Sequence, residues 1–176
     1  MKIFNMTEEL IMEVDENNKQ IGLRPRKDFY NGKYIHRGVH LMLFNSRKEV
    51  AIMKRSSGKR WYPNLYTFSV SGGAVNNETN IEGIARETKE EIGLELKPKE
   101  LFTFRYYDEH DNAFATLFYA ISDKTITPDK AEIARVDWIT LDWLKEDMKN
   151  NPEKYTHTMR EGMKVDFEKY GANLPH

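Results

Sequence analysis

The sequence predicts a single mixed α and β domain, and two observations carry that expectation. Its middle is a series of short apolar runs of strand length separated by turn-forming residues, and one helix is marked at both ends by capping chemistry. At 176 residues and 39% hydrophobic, without repeats or low-complexity tracts, the chain can bury one proper core, so 1–176 is read as one unit.

Residues 9–14 and 21–25 read as a hairpin about the turn Asp15, Glu16, Asn17 and Asn18. Residues 39–44 and 50–54 are apolar runs separated by the turn-like Asn45, Ser46, Arg47 and Lys48, and residues 67–70 form a short strand entering a glycine loop at Gly72 and Gly73. Thr79 followed by Glu82 is a capping box, so a helix starts at Asn80 and runs to about Ile92, where Gly93 stops it. Residues 101–107 and 114–121 make another hairpin around 108–112, and residues 135–139 a last strand. Residues 141–150 and 161–170 are the remaining helices, separated by Pro152.

Several function classes are excluded early. A net charge of -1 argues against a dedicated nucleic-acid surface. The absence of cysteine rules out disulfides and thiolate zinc sites, and the apolar runs are too short for a membrane span or a signal peptide, which makes a cytoplasmic location the expectation.

The capped helix carries the chemistry. Ile81, Ile84, Ala85, Thr88 and Ile92 fall on one face, while Glu87, Glu90 and Glu91 share the neighbouring one. Like charges so close oppose folding by a few tenths of a kcal/mol per pair unless a cation lies between them. Mg²⁺, which prefers oxygen ligands and is shared between carboxylates and substrate phosphates, suits this set best, with Mn²⁺ as a substitute. Arg86 stands beside the acids, able to pin Glu78 or Glu87 through a bidentate pair. An isolated acidic helix face is ordinarily solvated surface, but here the flanking residues are spaced as well. From Gly72, five residues lead to Glu78, seven more to Arg86 and Glu87, then come Glu90, Glu91, one spacer, Gly93 and Leu94.

That spacing resembles the signature of the Nudix hydrolases. The resemblance implies a three-layer α/β/α sandwich around a mixed sheet, with a core over residues 9–140 and a helical C-terminal segment, 141–176. It implies a Mg²⁺-dependent pyrophosphohydrolase acting on a nucleoside diphosphate linked to a further moiety, or on a related diphosphate, by water attack on phosphorus. Glu87, Glu90 and Glu91, with a carbonyl from Gly72 or Gly73, would hold the metal, and Glu87 or Glu132 would serve as base. Thr88 stands where the pattern has an aliphatic residue, so its hydroxyl must bond back to the Ile84 carbonyl.

The order DENNKQIG, IHRGVHLMLFN, AIMKRS, GKRWYPNLYTFSVSGG is similar to the branch containing the type I isopentenyl-diphosphate isomerases. Ser71 occupies the place of that branch's catalytic cysteine, Gly73 that of a metal-binding histidine and Ala113 that of the catalytic glutamate, so isomerase chemistry is the weaker alternative. A noncatalytic nucleotide sensor is a third reading, opposed by the intact acidic set. Of the cations Lys54, Arg55, Lys59 and Arg60, Arg60 and Lys54 are candidate phosphate contacts. Tyr62, Tyr66 and Phe68 are aromatic candidates against a base, and His36 matches a metal-binding histidine that lacks its companions. The expected partner is a small nucleotide or diphosphate. Homodimers are common among such proteins, though no segment declares an interface.

Overall fold

A computed structural model describes residues 9–75 and 77–169. Its centre is a nine-stranded sheet. The strands are β1 (Leu10–Val14), β2 (Gln20–Pro25), β3 (Ile35–Phe44), β4 (Glu49–Arg55), β5 (Tyr66–Thr67), β6 (Val70–Gly73), β7 (Lys99–Tyr107), β8 (Asn112–Ile121) and β9 (Ile133–Thr140). The helices are α1 (Asn80–Ile92), α2 (Leu141–Asn150) and α3 (His157–Lys169).

β3 organises the sheet. It pairs antiparallel with β1, β4 and β6 and parallel with β8, while β7 extends the sheet beyond β8 and β9 lies along β4. Its apolar run is nearly continuous because both faces are covered. Val39, Leu41 and Leu43 pack on one side with Ile84 and Ile92 of α1. Met42 and Phe44 pack on the other with Leu144 of α2 and Met159 and Met163 of α3. The result is the α/β/α sandwich with a mixed sheet.

α1 has the expected bounds and cap. Thr79 accepts from the Glu82 N–H, the Glu82 carboxylate accepts from the Thr79 N–H, and Gly93 closes the helix in the left-handed region at φ 70°. The Thr88 hydroxyl donates to the Ile84 carbonyl at 2.6 Å. The packed face differs from the expected one: Ile81 and Ala85 are exposed, and Gly83 is buried in their place. The helix lies against β3 here: a Cβ on Gly83 would stand 3.4 Å from the Glu78 carboxylate and 3.7 Å from Val39, in ordinary van der Waals contact.

Two further expectations are corrected. The strand read at 67–70 is two short strands broken at Phe68 and Ser69. Gly72 and Gly73 belong to β6, held in a ladder with Val39 and Gly38, rather than to a loop. The last helix begins at His157, before the expected 161, because Thr156 caps it by accepting from the Met159 N–H at 3.3 Å; Tyr170, its expected end, lies outside the described residues.

α3 meets the sheet through a glycine. A Cβ on Gly162 would fall 2.8 Å from Phe104 Cζ and 2.9 Å from Phe68 Cζ, both in the core. Gly162→Ala should therefore destabilise the protein by about 1–3 kcal/mol through overpacking, despite the better helix propensity of alanine, as read by urea denaturation.

Candidate active site

Arg86 is the organising side chain. Its Nε and Nη2 form a fork to Glu78, at 2.7 and 3.0 Å; Nη1 donates to Glu87 at 2.8 Å and Glu90 at 3.1 Å; Nη2 also reaches the Gly73 carbonyl at 3.0 Å. Arg86 does not line the chamber that the acids face; it grips the acids from the side, pinning both Glu78 and Glu87. Glu87, fixed in this way, lies flat against β6. A Cβ at Gly72 would fall 2.0 Å from its carboxyl carbon, so only glycine leaves room.

Glu87, Glu90 and Glu91 of α1 face a polar chamber of about 370 Å³ together with Glu9, Asp129 and Glu132, and Arg26 and Lys59 supply its positive charge. Glu91 is only partly covered as a residue, yet its carboxyl lies deep, accepting one hydrogen bond from the Ser71 N–H at 3.1 Å. Burial and the neighbouring Glu87 push it up to about 8. Burial also raises Glu87, against the pull of Arg86. Glu132 lines the chamber, where it accepts from Lys59.

Both glycine carbonyls are engaged by the protein. That of Gly73 is taken by Arg86. The Ala74 N–H donates to Arg37, and the alternation of an antiparallel ladder then turns Gly72 inward to Val39. Ser71 presents its backbone to the opposite edge, the one its N–H shares with Glu91.

The residues fit a hard divalent ion. The donor set is all oxygen, and Glu91 is a buried carboxyl without a cationic partner in contact among the described residues. Among the described residues no three acidic or histidine side chains already converge on one ion-sized point. Arg86 holds Glu87 and Glu90 to the side.

A second cavity of about 380 Å³ shares the wall formed by Arg26, Tyr30, Lys59, Ser71, Gly72 and Glu132. Its lining includes Phe29, Trp61, Tyr62 and Tyr106. Trp61 stacks on His110 with centroids 4.2 Å apart, and Arg60 lies 5.2 Å from both the Trp61 and Tyr30 rings. The Tyr62 hydroxyl donates to Asp108, which ties this wall to the β7–β8 turn. His36 Nε2 lies 2.6 Å from Asp111. Burial alone would raise the Asp111 carboxyl, but the His36 ring holds it down to about 2. His40 lies deeper, and burial lowers it to about 3, so its ring is neutral.

Other sequence candidates fall elsewhere. Lys54 and Tyr66 face a separate groove with Arg135 and Asp137, because alternation along β4 sends Lys54 to the side opposite Arg55, and Arg55 is the one that lines the cavity. Phe68 is 1% exposed and belongs to the core, packed on His40. Ala113 sits opposite His36 in the β3–β8 register, fully buried. Sequence reasoning missed Glu9, Arg26, Trp61 and Asp111. Only Asp111, within a predicted turn, carried any signal.

Fold and site together define a hydrolase class: an α/β/α sandwich whose acidic helix, clamped by an arginine to a strand edge, faces a polar chamber. The NUDIX domain model matches residues 34–159, and the chain belongs to the Nudix hydrolase family, as a Nudix pyrophosphohydrolase. It is 38% identical over 169 residues to a prenyl-diphosphate phosphatase of Methanosarcina mazei, covering 92% of this chain and 99% of that protein. It is 23% identical to isopentenyl-diphosphate Delta-isomerase 2 of Aromatoleum aromaticum, over 85% and 82% of the two chains. The DR0079 crystal structure from Deinococcus radiodurans superposes with a TM-score of 0.70 at 25% identity, over 81% of this chain and 90% of that one. No helix among the described residues is long and apolar enough to cross a membrane.

Two outcomes test the site. With Glu91 at about 8 in the folded state against an ordinary 4.5, the folded protein binds its proton more tightly between those values. Stability of chelator-treated protein should therefore fall as pH rises from about 5 to 8, Glu91→Gln should flatten that slope, and Mg²⁺ at pH 8 should raise the melting temperature, all read by calorimetry. Gly72→Ala should displace Glu87 and lower diphosphate hydrolysis by about 100-fold or more, with the fold retained by circular dichroism.

Proposed function

We propose that this protein is a Mg²⁺-dependent prenyl-diphosphate hydrolase. The observation that carries the reading is the shared wall between the two chambers: an acidic one suited to a metal-bound diphosphate opens beside an aromatic-lined one suited to an apolar organic group. The similarity to a prenyl-diphosphate phosphatase over nearly the whole chain supports it.

Glu87, Glu90, Glu91 and the Ser71 carbonyl would hold the ion. When bound, Mg²⁺ supplies charge neutralisation at the bridging phosphates and a more acidic water. Arg26, Lys59 and Arg55 stand on the walls where phosphate oxygens lie, and Arg60 at the mouth of the aromatic cavity. A water oxygen attacks the terminal phosphorus while the bond from that phosphorus to the bridging oxygen breaks. The products are a prenyl monophosphate and inorganic phosphate. Glu132, freed from Lys59 once that lysine turns to phosphate, takes the water's proton; Glu87 is the alternative base.

Isomerisation lacks the cysteine and glutamate that the isomerase branch uses: Ser71 replaces the thiol and Ala113 offers only a methyl. A nucleoside diphosphate is the second reading, favoured by the Trp61 and Arg60 platform at the cavity mouth. Incubation with Mg²⁺ and a panel of prenyl diphosphates and nucleoside diphosphate sugars separates the two. The expected result is inorganic phosphate from the prenyl substrates, abolished by chelator and reduced about 1,000-fold or more in Glu91→Gln. Turnover confined to nucleotides would replace the prenyl reading, and release of pyrophosphate would place the attack at carbon.

A further inference from the structure

The organic cavity ends on a polar wall that a hydrocarbon does not need. His40 is 6% exposed and lines that cavity. Its Nδ1 lies 3.1 Å from the Ser71 hydroxyl, which lies 3.2 Å from the Thr67 hydroxyl. Its other ring nitrogen, Nε2, is buried and meets no hydrogen-bond partner among the described residues. Gly38 stands beside it: a Cβ there would come 3.3 Å from Nε2, and both residues line the cavity. Buried polar atoms are nearly always paired, so an unpaired one on a residue of the cavity wall marks the place where a ligand atom belongs.

The geometry points to a specificity subsite in which His40 Nε2 receives a hydroxyl carried by the organic group of the substrate. The inference rests on the prenyl-diphosphate reading and narrows it to short, hydroxylated members of that class. A hydroxyl is the fitting group because it both donates and accepts, and so pairs with Nε2 whichever ring nitrogen carries the proton. An anionic group would meet Asp111 on the same lining. The spacer is short because Ser71 joins both ends: its N–H donates to Glu91 in the acidic chamber and its hydroxyl meets His40. Both contacts belong to one residue, so the metal-facing carboxyl and the imidazole that carries Nε2 are near neighbours, which leaves room for only a short carbon spacer between phosphate and hydroxyl.

The test compares dimethylallyl diphosphate with its analogue bearing a hydroxyl on a terminal methyl group, using the full chain with Mg²⁺. The wild type should favour the hydroxylated compound by about 10- to 100-fold in kcat/KM. His40→Phe keeps a ring against Phe68 but no nitrogen, and should erase that preference by raising KM for the hydroxylated substrate. Should that variant fail to fold, the wild type carries the test through histidine ¹⁵N spectra with the two bisphosphonate analogues. There the hydroxylated analogue must shift the His40 Nε2 resonance and the plain one must not. Equal kcat/KM for both substrates in the wild type, with phosphate released from each, would overturn the subsite while leaving the hydrolase reading in place; a fixed water would then serve Nε2. Turnover of neither compound, alongside cleavage of some other diphosphate, would overturn both.

Discussion

The Arg86 guanidinium is the constraint on which the site depends. Its donors hold two carboxylates from α1, one from the preceding segment and a carbonyl of β6, so one planar group fixes the helix against the strand edge. A lysine could not reproduce this, since a single ammonium lacks the fork that grips Glu78 through two bonds while reaching three other acceptors. The clamp also explains why the acids diverge before an ion arrives: Glu87 and Glu90 are already engaged, and Glu91 stands apart, deep and without a cation in contact among the described residues. Burial holds that carboxyl in its protonated form up to about pH 8, and a divalent cation would take the proton's place there.

The second chamber follows from the sheet rather than from the helix. β3 sends Val39, Leu41 and Leu43 toward α1, and His36, Gly38 and His40 toward the face that α3 covers. Because β6 lies between the two chambers, Ser71 and Gly72 line both. Ser71 offers its backbone to the metal side and its hydroxyl to the organic side, and Gly72 is reduced to a hydrogen so that Glu87 can lie flat.

Legibility in the sequence tracked the distance over which each feature is made. α1, its caps and the Thr88 back-bond depend on residues within a few positions of one another, and all were readable, as were the hairpins about Asp15 and Asp108. The glycine pair was read as a loop because nothing local announces that Gly72 and Gly73 pair with β3. Lys54 and Arg55 are neighbours of identical charge, and only the register of β4 with β9 decides which of them turns to the cavity. Phe68 reads equally as core or as a stacking face until α3 is known to cover it. Arg26 and Glu9 left no pattern, because their meeting is a contact between the entry to one strand and the exit of another.

Chain order has a kinetic consequence for the site. The grip of Arg86 on Gly73, Glu78, Glu87 and Glu90 is made within one short stretch and closes at little loop entropy, whereas both chambers wait for later residues, Asp129 and Glu132 in the acidic one and Thr156 and Thr158 in the organic one. A nascent chain emerging from the ribosome would therefore set its clamp early and complete its two chambers late, as the last strand and the last helix dock.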